Sequence, residues 1–150
     1  MKIYTIGFTK KTARTFFSRL INAGVKTVID VRLNNKSQLA GFSKSPDLEY
    51  FLGEIGNINY THQLNLAPTK NILDAYKKPG GKRGKLGDWD QYTRQFNALM
   101  AERRIEETLS PELLDGGCLL CSEATPHHCH RRLVAEYLSD RWSDVTIHHL

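Results

Sequence analysis

The sequence lacks the features that mark secreted, membrane-spanning or fibrous proteins. No apolar run approaches the roughly 20 residues needed to cross a bilayer, so no membrane partner is expected. The N-terminal MKIYTIGFTK has a short apolar part broken early by lysine; this argues against a secretory signal and reads instead as a first strand. Cysteine is scarce, with three residues in 150. An odd number without evenly spaced pairs points to free thiols in a reducing compartment, so a cytoplasmic location is expected. Internal repeats and low-complexity tails are missing. A phosphate-binding P-loop is missing too: KKPGGKRGKLGDW, from Lys77 to Trp89, lacks the G-x-x-x-x-G-K-[ST] spacing, and no apolar strand leads into it. It reads as a basic, exposed, mobile loop. No cofactor is expected.

What remains is an ordinary globular composition, 40% hydrophobic and 25% charged, in a length that suits one domain with one core, residues 1–150. Lys plus Arg number 21 against 16 acidic residues, a net charge of +5 that favours anionic partners.

Periodicity predicts an α/β fold. Lys2 to Ile6 alternates and stops at Gly7. Thr12 to Ala23 carries Phe16, Phe17, Leu20 and Ile21 on one helical face, with Gly24 placed to end it. Lys26 to Val31 is the near-continuous apolar run of a strand buried on both faces. Strand, helix and strand within about thirty residues make a βαβ unit with parallel strands. After a polar loop from Arg32 to Pro46, a helix from Asp47 to about Ile55 is closed by Gly56. A weaker strand spans Ile58 to Gln63, and a short helix Ile72 to Tyr76. One long amphipathic helix is predicted from Asp90 to Leu109. A buried strand then spans Cys118 to Ser122, and a last helix begins at a Thr125-Pro126 cap. Val145 to Leu150 is the final strand. The sum is a mostly parallel sheet of about five strands with helices on both faces, in a single domain.

In such sheets ligands bind outside the carboxyl ends of the strands. Three polar segments fall there: Gly7 to Thr9, Asp30 to Arg32 with the Asn34 to Phe42 loop, and Cys121-Ser122-Glu123 running on to Cys129-His130-Arg131. Cys129 is expected in the first turns of the last helix, where the helix dipole favours a thiolate. Either Cys121 or Cys129 can serve as nucleophile, with Glu123 or His130 as acid or base. Arg32 and Arg131 are suited to an anionic substrate group, with Asp30 orienting one of them; Gly7, Thr9 and Ser37 complete the candidate binding set. The bland readings are a buried structural thiol for each cysteine, a strand-end ion pair for Asp30 and Arg32, and surface histidines at 127, 128, 148 and 149. Zinc is a rival, since Cys118-x-x-Cys121 followed by Cys129-His130 supplies ligand types. Residues three apart on a strand point to opposite faces, however, so Cys118 and Cys121 do not share an ion. A zinc site has to use Cys121, Cys129 and histidines.

The tracts TIGFT, VIDVRLNNKSQLAGFSK, YTHQLNLAPTKNILDAYKK and LLCSEATPHHCHRRLVAEYL resemble the domain of unknown function 488 family over nearly the whole chain. The C-x-E followed by C-H-R is the most specific part. The family pattern maps onto Gly7, Asp30, Arg32, Ser37, Cys121, Glu123, Cys129, His130 and Arg131. Where that family often continues TIG with histidine and serine, this chain has Phe8 and Thr9, so no histidine role carries over at the first loop. The resemblance implies a fold and a site but no reaction.

Three functions compete, in this order. The first is a thiol or acid/base enzyme acting on a small anionic substrate of the nucleotide or modified-base class. The second is a nucleotide or nucleic-acid binding module, resting on the charge and on the Lys77 to Lys85 segment beside Trp89 and Tyr92. The third is a zinc protein.

Overall fold

The computed structural model describes residues 1–36 and 40–150. Five strands form one sheet: β1 (Lys2–Gly7), β2 (Thr27–Asp30), β3 (Asn59–His62), β4 (Gly117–Cys121) and β5 (Thr146–His149). Their order is β3-β2-β4-β1-β5, and every neighbouring pair is parallel. The last-but-one strand in sequence thus takes the centre of the sheet. This accounts for its composition, because all five of its residues, GCLLC, are buried. The edge strands β3 and β5 have no fully buried residue and carry the polar sequences NYTH and TIHH.

Side chains alternate across the sheet with period two. On one side Ile6, Val28, Cys118 and Leu120 pack under α1 (Ala13–Asn22) and α2 (Asp47–Gly56). On the other, Ile3, Ile29, Leu119 and Cys121 pack under α3 (Lys70–Lys77), α4 (Trp89–Glu102) and α7 (His130–Ser139), with two short helices, α5 (Ile105–Thr108) and α6 (Pro111–Leu114), closing that layer. Helices therefore cover both faces, as the periodicity predicts. No helix among the described residues is long and apolar enough to cross a membrane.

Four local expectations need correction. Gly56 is the last helical residue of α2, and the left-handed position that ends the helix belongs to Asn57, whose short amide side chain tolerates it. The long helix predicted to reach Leu109 stops at Glu102. Arg104 turns left-handed at φ 51°, so the chain bends and Ile105 can enter the core from a separate short helix. The basic segment from Lys77 to Trp89 is not loop throughout: Lys77 closes α3, Pro79–Gly81 is a 3-10 turn and Trp89 opens α4. The last helix does not begin at Thr125-Pro126. Those residues lie in a bend, and the helix begins at His130 with Cys129 as its N-cap.

Candidate active site

The parallel order brings the carboxyl ends of β1, β2 and β4 to one edge, with Gly7 opposite Cys121 and Asp30 opposite Leu120. Above that edge lies a cavity of about 230 Å³. Cys121 comes from the end of β4, Cys129 and His130 from the start of α7, and Arg32 from the exit of β2. Lys77 and Tyr76 enter from α3, and Trp89 and Tyr92 from α4. Glu123 and His128 stand on the connection between β4 and α7.

The floor is a cluster of three buried groups. The Cys121 and Cys129 Sγ atoms and a ring nitrogen of His130 all lie within 4.8 Å of one another. His130 Nε2 sits 2.7 Å from the Val31 carbonyl. A carbonyl only accepts, so Nε2 carries the hydrogen. In the neutral ring Nδ1 then holds the lone pair, and it faces Cys121 Sγ at 3.6 Å. A base oriented by a fixed acceptor and set against a thiol is the arrangement that activates a cysteine. The two thiols share their protons unequally. Cys121 is held well below the ordinary thiol range, first because the Cys129 thiol donates to it and then because His130 balances its charge against the cost of burial. Burial beside that thiolate pushes Cys129 up. Burial alone would lower His130, but the Cys121 thiolate raises it.

Arg131 supports this floor from behind. Its side chain is 1% exposed. Nη1 donates to the Glu123 carbonyl at 2.7 Å and to Cys129 Sγ at 3.4 Å, while Nε donates to Thr5 Oγ1 at 3.4 Å. Gly7 and Thr9, expected among the binding residues, brace the same connection rather than line the cavity. A Cβ on Gly7 would stand 1.6 Å from the Glu123 carbonyl oxygen, so the close approach of β1 to that segment requires glycine. Thr9 donates to the Ser122 carbonyl twice, from its amide at 3.1 Å and its hydroxyl at 2.7 Å.

Arg32 and Asp30 form a buried pair on the adjoining wall. Nε and Nη2 of Arg32 donate to the two Asp30 carboxylate oxygens at 2.9 and 2.7 Å, and Nη2 also donates to the Ser43 carbonyl at 2.8 Å. Tyr60 Oη donates to Asp30 at 2.7 Å. Arg32 Nη1 is buried and has no hydrogen-bond partner among the described residues. At the rim Lys77 Nζ meets Glu123 Oε1 at 2.8 Å. Trp89 stacks on Tyr92 with ring centres 5.1 Å apart and on His128 at 4.8 Å, forming an aromatic wall.

The structure thus brings Cys121, Glu123, Cys129, His130 and Arg32 around one cavity. It sets Arg131, Asp30, Gly7 and Thr9 behind it. Ser37 lies outside the described residues. Cys118 belongs to the opposite face, as its spacing from Cys121 requires. The sequence reasoning missed Thr5, Tyr76 and Lys77. Lys77 looked like the first residue of a basic loop. Its place in the final turn of α3 became readable only once Thr69, whose hydroxyl caps that helix, was seen to start it.

Comparison with curated proteins and with solved structures returned no match. A family model described as Domain of unknown function DUF488 matches residues 12–138, a span that contains α1, β2, β4 and the Cys121 to Arg131 segment. The chain belongs to the DUF488 family.

Proposed function

We propose that the protein is an enzyme acting on a small anionic substrate of the nucleotide or modified-base class. The substrate is held in the cavity with its reacting atom toward Cys121, Cys129 and His130. The observation that carries this reading is Arg32, a buried cation only 4% exposed that lines the cavity and whose Nη1 has no hydrogen-bond partner among the described residues. A buried donor without an acceptor costs about 1–3 kcal/mol, and a ligand anion removes that cost. Asp30 holds Nε and Nη2, so it fixes the fork in the cavity wall and leaves Nη1 uncommitted among the described residues. Lys77 offers a second cation at the rim, exchanging Glu123 for substrate. Tyr76, Trp89 and Tyr92 supply flat apolar surface, which suits a ring attached to the anionic group.

In this reading Glu123 carries protons and the floor of Cys121, Cys129 and His130 meets the reacting atom, while Arg131 and Asp30 position their neighbours. Calorimetric titration with nucleoside monophosphates, and separately with inorganic phosphate, tests it. Binding by the wild-type chain is expected, weakened about tenfold or more in Arg32→Lys, since an ammonium does not hold Asp30 bidentately and meet the ligand from the same planar group. No binding of any of these probes overturns the proposal. Tight, steeply salt-dependent binding of single-stranded nucleic acid without mononucleotide binding replaces it with the binding-module reading.

A further inference from the structure

Cys121, Cys129 and His130 have the geometry of a tetrahedral metal site with one corner missing. Zinc takes sulfur at about 2.3 Å and imidazole nitrogen at about 2.0–2.1 Å, so the S···N edge of a tetrahedron measures about 3.5 Å. Cys121 Sγ and His130 Nδ1 are 3.6 Å apart. All three donor atoms fall within 4.8 Å of one another, compatible with an S···S edge of about 3.8 Å on the same radii.

The surroundings match those of metal ligands as well. A ligating histidine ordinarily donates its other ring N–H to a carbonyl or carboxylate, which fixes the tautomer and aims the lone pair. The Nε2 to Val31 bond does this at 2.7 Å. Arg131 Nη1, 3.4 Å from Cys129 Sγ, donates to the second sulfur and offsets its charge. Two thiolates and an imidazole select zinc over magnesium or calcium, which take oxygen ligands. Three protein ligands with the remaining position on a cavity mark a catalytic site, whereas structural zinc is closed by four. Cys118 does not close this one, because it lies on the other face of the sheet.

We infer that Cys121, Cys129 and His130 bind one zinc ion whose fourth coordination position opens into the cavity. The metal site stands on its own geometry; the reaction it supports rests on the proposed cavity function. That reaction is hydrolytic. Zinc-bound water gives its proton to Glu123 and attacks an electrophilic carbon of the substrate. A carbon–oxygen bond forms, the bond to the leaving group breaks, and the proton passes from Glu123 to that group. No electrons change hands.

The test is metal analysis of the intact purified chain, followed by removal of metal with a chelator and reconstitution with cobalt(II). One metal per chain is expected, with the intense visible bands of a four-coordinate ion and near-ultraviolet charge transfer from two thiolates. Cys129→Ser should lose about half of that charge transfer, and Cys118→Ser none. The wild-type spectrum counts the thiolates even if a variant fails to fold. Failure to take up zinc or cobalt, or equal loss of metal in Cys118→Ser and Cys121→Ser, overturns the inference. A metal-free chain that still binds nucleoside monophosphate through Arg32 loses the zinc site and keeps the proposed function. A metal-loaded chain that binds no anion does the reverse.

Discussion

Cys118 and Cys121 stand on the same central strand, yet the two faces of the sheet give them opposite chemistry. Cys118 points under α1 and α2, among Ile6, Val28, Leu120 and the phenylalanines of α1. Full burial there pushes its thiol far up, and the weak 4.0 Å contact with the Leu119 carbonyl does nothing to offset it. Cys121 points under α7 and finds His130, Cys129 and, more distantly, Lys77. The lesson is that a cysteine's role follows from the parity of its strand position. One face is built to exclude polar groups and the other to gather them at the strand exit. The exception is the buried ion pair of Asp30 with Arg32 at the exit of β2, where the guanidinium lies over the Phe8 ring of the apolar layer, 5.0 Å from its centre, while Arg32 also lines the cavity.

That exception gives the largest expected effect. Asp30→Ala leaves the Arg32 guanidinium buried beside Phe8 with the Ser43 and Asn35 carbonyls but no counter-charge. Breaking a buried pair by removing one partner costs about 3–5 kcal/mol. A fall of that size in urea-unfolding free energy is expected, together with loss of the grip that holds the Arg32 fork in the cavity wall. A fall below about 1 kcal/mol, the range of exposed ion pairs, would mean that water reaches the site and that the face is less dry than its packing implies.

The serine pair sharpens the contrast at lower cost. In Cys118→Ser a hydroxyl enters an apolar layer with the Leu119 carbonyl as its nearest acceptor, and about 1–3 kcal/mol of stability is expected to be lost. In Cys121→Ser, measured on chelator-treated protein like its Cys118→Ser counterpart, the hydroxyl can donate to His130 Nδ1, so the loss should stay under about 1 kcal/mol. Chemical denaturation of the two variants side by side checks this. Equal losses would erase the difference between the faces.

Much of this organisation was legible in the sequence, for identifiable reasons. Strand β4 announced itself through a run of small and apolar residues that only a central strand needs, and the opposed faces of Cys118 and Cys121 followed from period-two alternation. The clustering of Cys121, Cys129, His130 and Arg32 followed from the rule for parallel strand ends. The start of α7 was not legible. Thr125-Pro126 carries a valid cap signal, but the chain must first turn back over β1, where Thr9 and Lys11 hold the Ser122 and Ala124 carbonyls. Those long-range bonds delay the helix to Cys129, and local propensity does not encode them. The bend at Arg104 was hidden for the same reason, since Arg103 is drawn off to the Asn65 and Ala67 carbonyls. Gly7 and Thr9, expected as binding residues, instead meet the Glu123 and Ser122 carbonyls of the connection above β1.

The smallest effect concerns the hydroxyl that completes the Asp30 carboxylate. Burial, then its bond to Asp30, raises the Tyr60 hydroxyl to about 12. The unfolded chain releases that proton near 10, so between these values the unfolded state is favoured by deprotonation and the folded state is not. The contribution of Tyr60 to stability is therefore complete at neutral pH and is lost as pH rises from about 10 through about 12. Tyr60→Phe removes both the hydrogen bond, worth about 1 kcal/mol, and this alkaline dependence. Unfolding midpoints followed into alkali should converge for the two proteins, the wild type falling more steeply. If the two curves stay parallel, Tyr60 titrates alike in both states, and the Asp30 cluster is open to solvent from the β3 side.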